Sequence, residues 1–596
     1  MFATREDPKA KFHKAWRIVF AFVFTVLFSA AIGFVSLYLA TSNFSIEMFV
    51  SYLKNPYILL LNMAPPVILS ALFFLLTNRA IWSFLLTTAF IAAPTVIHYY
   101  KLALRGDALI FADMSLALES AKMLETYSLF MDARLWTGLG IFAFCTLFLA
   151  IFARGRFKRK APRLIAAVCI LLASVLLVPF YASDDIYNVK TENVSLINRW
   201  SDNQQYISKG FVYPFLHSVK SSFAPAPDGY SEDEAKEILS AYTDEVIPKD
   251  KQINIVCVML EAYSDLSRFE ELRFTEDVFA KYHELEQMGY SGRLIADVFA
   301  GDTKVSEREF LTGYPYARLD DFVSKSNSYV WYLLKNGYET TGSHPSYGWF
   351  YNRQNINKNL GFESYLFSEN YYKEITKVDI TYDMKFFPLL RDVYLERDRS
   401  RPYFSFSINY QGHGPYETTV ENYTSPFLEN PGVSLSDERM LNNYLNSIKG
   451  TTNHLYTFAN DMLATSEPLV LVFFGDHMPS MDTGGRVLSA YGVNLDTATK
   501  EGFENYYGTQ YLILANDAAK EVSGNPFSGK GETLSISFLM NKVFELCGYK
   551  GSAYMQFTSD IASRTPVIHR YDDMSEGDRH LFDCVSYYYR RNFCYN

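Results

Sequence analysis

Ile253-Asn254-Ile255-Val256-Cys257-Val258-Met259-Leu260 runs directly into Glu261. The run is almost wholly apolar and rich in β-branched residues, the pattern of a strand buried on both faces of a parallel sheet. Pro468-Leu469-Val470-Leu471-Val472-Phe473-Phe474 repeats it and is followed by Gly475-Asp476-His477-Met478-Pro479. Residues 403–408 and 511–514 also read as strands, and helical patterning at 277–288 and 442–463 alternates with them. Strands alternating with helices predict an α/β domain with a mostly parallel central sheet, whose ligands sit at the carboxyl ends of the strands.

Glu261, Asp476 and His477 stand at two such ends. Hard oxygen donors joined by one imidazole suit a divalent cation such as Mn²⁺, Mg²⁺ or Zn²⁺. Taken singly, Glu261 also reads as a helix cap and Asp476-His477 as a turn before proline. The nucleophile candidate is Thr303, in Phe299-Ala300-Gly301-Asp302-Thr303-Lys304. A helix is expected to begin at Thr303, and a helix N-terminus favours an anion such as phosphate. A threonine hydroxyl is a weak nucleophile until a base or metal activates it; otherwise Thr303 is an N-terminal cap.

Towards the N-terminus the chain changes character. A helix needs about 20 apolar residues to cross a bilayer. Five stretches qualify, near 16–40, 57–76, 81–99, 135–153 and 164–181. Basic residues precede the first (Arg5, Lys9, Lys11, Lys14, Arg17), mark the turn after the second (Arg79), and fill the loop before the fifth, from Arg154 to Arg163. In a five-span count these segments share one side, which the positive-inside rule makes the cytoplasm. Everything after residue 181 is then expected outside. The external loop 101–134, with Met114, Leu116, Leu118, Met123 and Leu124, suggests an amphipathic helix at the interface or a segment packed in the bundle.

The expected organisation is a five-helix transmembrane domain at 1–183, a juxtamembrane linker at 184–250, a catalytic domain at 251–570 and a tail at 571–596. Residues 1–183 hold 17 Lys/Arg and 8 Asp/Glu, so of the net −10 the remainder carries −19. That acidity argues against a nucleic-acid partner. The six cysteines show no metal-type spacing, and Cys584 and Cys594 read equally as a disulfide or as two free thiols.

Taken together, these segments resemble the lipoteichoic acid synthase family of phosphoglycerol transferases, sulfatase-like members of the alkaline phosphatase superfamily. Glu261 looks like the family's first metal ligand and Gly301-Asp302-Thr303 its nucleophile segment. Asp476 and His477 look like the remaining metal pair. Ser343-His344-Pro345 with Tyr351-Asn352-Arg353 resembles its head-group-binding segment, and Gln411-Gly412-His413-Gly414-Pro415-Tyr416 its histidine motif. Tyr351 stands where tryptophan is frequent, and Asp302 where Asn or Gly is common. The resemblance implies a membrane-anchored enzyme of the bacterial cytoplasmic membrane with its catalytic domain outside. It also implies one divalent ion, by preference Mn²⁺, held by Glu261, Thr303, Asp476 and His477. His344, Tyr351, Arg353 and His413 would bind substrate. Thr303 would take glycerol phosphate from phosphatidylglycerol and pass it to a glycolipid, a growing polymer or an envelope glycan. A true sulfatase would carry C/S-x-P-x-R at the nucleophile, which Thr303-Lys304-Val305 is not. A phosphoethanolamine transferase of the same fold would share the threonine nucleophile, and an inactive sensor or scaffold would keep the domain without its chemistry.

Overall fold

Alternating small β-branched and apolar side chains from Asn254 to Leu260 leave no solvent face, so this stretch can only be a central strand. In the computed structural model it is β1 (Asn254–Leu260), with every residue buried. The structure describes residues 8–41, 45–105, 108–116, 131–193, 206–222, 226–315, 322, 324–429, 434–479, 481–568 and 574–595. They form two compact units, Met1–Ala224 with Trp349–Asn355, and Pro225–Gly348 with Ile356–Asn596.

The second unit is built on one nine-stranded sheet. Its strands are β1, β2 (Tyr290–Ile295), β3 (Glu339–Ser343), β4 (Ser364–Leu366), β5 (Tyr403–Ile408), β6 (Leu469–Gly475), β7 (Gly508–Ala515), β8 (Gly529–Lys530) and β9 (Leu534–Ser535), in the order β4-β3-β5-β1-β6-β7-β2-β8, with β9 also on β2. β4, β3, β5, β1 and β6 are mutually parallel; β7 is antiparallel to both β6 and β2. The sheet is therefore mixed but mostly parallel, as expected. Two apolar cores sandwich it. Ile255, Cys257 and Met259 enter one, and Val256, Val258 and Leu260 the other. Register brings Leu260 beside Gly475, so Glu261 and Asp476 leave the sheet at neighbouring positions.

The first unit contains five helices long and apolar enough to cross a membrane: Ala15–Tyr38, Pro56–Thr77, Ala80–Ala103, Ala133–Phe152 and Lys160–Ala182. Asn78 and Phe157 exchange hydrogen bonds of 2.9 and 2.8 Å. A side chain at Gly155 would run into the Arg17 carbonyl, 2.0 Å from an ideal Cβ. Arg17, the turn at Asn78 before Arg79, and the loop at Gly155 and Phe157 thus meet at one end of the bundle. At the other, Asp132 caps the fourth helix and Arg134 bonds the Thr41 carbonyl at 2.8 Å and the Tyr99 hydroxyl at 2.7 Å.

The described residues of the expected linker 184–250 are divided between the two units. Tyr206, Phe211, Val212 and Tyr213 are buried in the first unit, where Asn62 donates to the Lys209 carbonyl and accepts from the Tyr213 N–H. Helix Glu232–Ser240 belongs to the second unit, with Ala235 in its core. The expected tail carries a 16-residue helix, Glu576–Arg591, with Phe582, Val585 and Tyr589 in the same core. Cys584 and Cys594 are free thiols. Cys584 lies 3.8 Å from His580, and Cys594 bonds Asn327, so no disulfide joins them. In the loop expected at the membrane interface, residues 101–105 continue the helix Ala80–Arg105, Phe111–Leu116 form a 3-10 turn, and residues 106–107 and 117–130 lie outside the described residues.

Candidate active site

The site assembles from chain turns forced by the sheet. Asn409 follows β5 as Glu261 follows β1, and its side-chain oxygen accepts the Glu261 N–H at 2.7 Å. One Asp476 oxygen accepts the N–H groups of Ala262 and His477, both at 2.8 Å. Two glycines permit this crowding. A Cβ on Gly412 would stand 1.9 Å from the Glu261 carbonyl oxygen, and one on Gly475 1.9 Å from that of Tyr263.

Thr303 is the first residue of helix α1 (Thr303–Thr312), where the sequence placed a helix start. It is delivered by three successive residues with positive φ, Ala300 at 60°, Gly301 at 153° and Asp302 at 55°. Left-handed backbone at a non-glycine residue costs about 1–3 kcal/mol and persists where surroundings over-determine it. Ser306, one turn on, donates to the Asp476 carbonyl at 2.7 Å and fixes the helix against the β6 end. The Asp302 carboxylate is 61% exposed and lies 3.7 Å from the Lys304 ammonium, which offsets its charge.

Four expected residues come together. Thr303 Oγ1 lies 3.2 Å from a Glu261 carboxylate oxygen and 3.4 Å from His477 Nε2. Glu261, Asp476 and His477 present donor atoms within 4.8 Å of one another, all buried. His477 Nδ1 is 2.9 Å from the Met478 carbonyl, which assigns its proton to Nδ1 and leaves a lone pair on Nε2. That lone pair faces Asp476 Oδ2 at 3.1 Å. Asp476 Oδ2 is itself buried without a hydrogen-bond partner among the described residues. Buried acceptors turned on one another are costly unless a cation lies between them. The donor set therefore fits a divalent metal ion.

His344 follows β3, with Nδ1 3.2 Å from the Ile408 carbonyl. The Tyr410 ring lies between it and His413, 6.2 Å from the first and stacked on the second at 4.8 Å. Burial, with the Glu261 charge nearby, pushes the Tyr410 phenol up to about 12, so it remains a neutral donor. Tyr351 and Arg353 are buried on Trp349–Asn355, the segment grouped with the first unit. There Arg353 lies over the Tyr351 ring at 5.2 Å, and Tyr351 and Asn352 both have positive φ.

Sequence reading missed the support. Asp383 is buried, accepts from Asn409 at 2.9 Å and Thr451 at 2.6 Å, and thereby orients the amide that holds Glu261. Burial raises its pKa to about 6. Asn409 was findable, since it occupies a strand end. Asp383 was not, because it lies on a helix 26 residues from its partner.

Residues 253–549 match the model of the Sulfatase family. This segment is a sulfatase-family domain. Across 96% of this chain and 89% of the other, the sequence is 24% identical to a protein of Rhizobium meliloti named "Putative cyclic beta-1,2-glucan modification protein". Among solved structures, the phosphoglycerol transferase GacH of Streptococcus pyogenes, in complex with sn-glycerol-1-phosphate, aligns at 18% identity and TM-score 0.48, covering 61% of this chain and 94% of that one. The lipoteichoic acid synthase LtaP of Listeria monocytogenes aligns at 17% identity and TM-score 0.43, covering 60% and 97%. The sulfatase-family domain holds the whole metal-type cluster and Thr303, and the apolar helices precede it.

Proposed function

We propose that the chain is a phosphoglycerol transferase of the bacterial cytoplasmic membrane, its sulfatase-family domain outside. It moves glycerol phosphate from phosphatidylglycerol to a glycan of the envelope through a phosphothreonine intermediate. The observation that carries the reading is the Thr303 hydroxyl, buried against Glu261 and His477 at the start of a helix. Glu261, Asp476 and His477, with Thr303, would hold one divalent ion, by preference Mn²⁺, which would lower the pKa of a hydroxyl bound to it.

The residues divide the rest of the work. Glu261 stands within reach of the Thr303 proton. The Thr303 oxygen attacks the lipid phosphorus, the bond to diacylglycerol breaks, and glycerophosphoryl-threonine remains. The α1 N-terminus offers the phosphoryl oxygens the positive end of its helix dipole. His344 and His413 supply imidazoles for protons on the leaving and entering oxygens; the family resemblance would give Arg353 the role of a forked donor to the head group. An acceptor hydroxyl then displaces Thr303. The near full-length likeness to a protein named for glucan modification supports a glycan acceptor over a purely lipid one. Membrane helices serve the same reaction by confining the enzyme with its lipid donor.

The test is product analysis by mass spectrometry, with a defined phosphatidylglycerol donor and glucan acceptors. Thr303→Ala should lower transfer by roughly 10³-fold or more, the scale of removing a covalent nucleophile, with an unchanged melting profile. Full activity in that variant would remove the nucleophile assignment. Transfer from phosphatidylethanolamine alone would replace phosphoglycerol as the group.

A further inference from the structure

β3 and β5 carry a polar face where a core should be. Their register pairs Glu339 with Tyr403, Thr341 with Ser405 and Ser343 with Ser407, and β4 adds Ser364 beside Thr341. All project to the side of the sheet on which Val256, Val258 and Leu260 of neighbouring β1 are core residues. On the opposite face of β5, Phe404, Phe406 and Ile408 pack normally. The apolar layer is thus interrupted at one place, and there a cavity of about 230 Å³ opens. Its outer wall is helix Asp383–Glu396, through Leu390, Val393 and Glu396.

The cavity wall contains unmet hydrogen-bonding capacity of both kinds. Thr341 is bonded to the Tyr403 hydroxyl at 2.6 Å and Ser343 to Ser407 at 3.0 Å. Glu339 Oε2, Ser405 Oγ and Arg397 Nε are buried atoms with no hydrogen-bond partner among the described residues, although Ser405 lies near the Tyr403 phenol. The Arg397 side chain is only 3% exposed and is ion-paired with Glu467. Each unmatched buried polar group costs about 1–3 kcal/mol, which a ligand or water can recover.

We propose that this cavity is a binding site for a single neutral sugar ring. An occupant must donate to Glu339 and accept from Arg397, which vicinal hydroxyls do together. A phosphate is disfavoured, because Glu339 and Glu396 both line the cavity and its one arginine is already neutralised by Glu467. The volume lies below the 300 Å³ or so at which drug-sized pockets begin, the scale of one monosaccharide. Tyr403, Leu390 and Val393 offer apolar surface to the C–H faces of a ring. β3 and β5 lead from this wall to His344 and Asn409, so the site would hold a glycan on the strands that build the candidate active site. The cavity geometry stands without the catalytic reading.

The experiment is saturation-transfer NMR on the detergent-solubilised full chain, with methyl β-D-glucoside as probe and inorganic phosphate as competitor. Wild type and Thr303→Ala should bind the glucoside alike, and phosphate should not displace it. Glu339→Ala should weaken binding about tenfold or more, the loss of a hydrogen bond to a charged group. Glu339→Gln, which keeps the shape, provides the same readout if the alanine variant does not fold, with a smaller loss. No glucoside signal would mean a cavity filled by water alone. Displacement by phosphate, loss in Thr303→Ala, or unchanged affinity in both Glu339 variants would place the sugar elsewhere. Any of these results overturns the proposal.

Discussion

At the scale of single residues, the site rests on an acceptor that the protein leaves unmatched. Asp476 Oδ2 faces the His477 lone pair with no donor among the described residues, so Asp476→Asn should weaken Mn²⁺ affinity by about 100-fold or more, beyond the loss typical of an outer-shell partner. Calorimetry on chelator-stripped protein measures this directly. By linkage, Mn²⁺ at 100 times its Kd should stabilise wild type by about 2.7 kcal/mol and leave Asp476→Asn nearly unmoved at the same concentration. Glu261, Asp476, His477 and Thr303 were legible because each abuts a readable boundary, a strand end or a helix start. Asp383 and Ser306 were not. They act through a helix side and a backbone carbonyl, and neither their spacing nor their type announces a partner.

At the scale of elements, the loops are held by close approach and by charge. Gly412→Ala would drive a methyl into the Glu261 carbonyl and should cost about 3 kcal/mol or more, the upper range of overpacking, in denaturant titrations. His283 ties helix Ala280–Glu286 to the loop after β1. Its ring nitrogens lie 2.8 Å from Asp265 and 2.9 Å from Asp277. The Asp265 bond, with Asp277 adding to it against partial burial, raises its pKa to about 9. A raised folded-state pKa stabilises fully below the unfolded value near 6.5 and is lost as pH rises through about 9. Wild type should therefore melt above His283→Gln at pH 6, and the gap should close by pH 10. β1, β6 and β7, with continuous apolar runs, and β5, with apolar residues alternating with serine, were readable; β2, β3 and β4 were not. Tyr290-Ser291-Gly292-Arg293 and Glu339-Thr340-Thr341-Gly342 lack that run because one face meets a polar layer or solvent.

At the scale of the whole molecule, the apolar helices and the basic segments gathered at one end argue for a single orientation. Protease applied to spheroplasts should digest the sulfatase-family domain from outside and leave the apolar helices protected. Replacing the six basic residues from Arg154 to Arg163 with neutral ones should reduce that outside exposure. The division into a membrane part and an α/β part was legible from hydropathy and strand pattern. The boundary was not. Residues 184–250 are polar taken as a whole, yet the short apolar run inside them buries Phe211, Val212 and Tyr213, and Tyr206 beside it is buried too. Residues 576–591 look like a tail until their helix buries Phe582, Val585 and Tyr589. A six-residue apolar run broken by proline, and aromatics scattered through a polar helix, show no period strong enough to separate a packed helix from a loop.

The most direct measurement of the central claim is peptide mapping after rapid acid quench of the Mn²⁺-loaded full chain with phosphatidylglycerol and no acceptor. A glycerophosphoryl group on the peptide containing Thr303, absent in Thr303→Ala and discharged when a glucan acceptor is added, is the expected result. Diacylglycerol release with no label on Thr303, or a label on another residue, would contradict it.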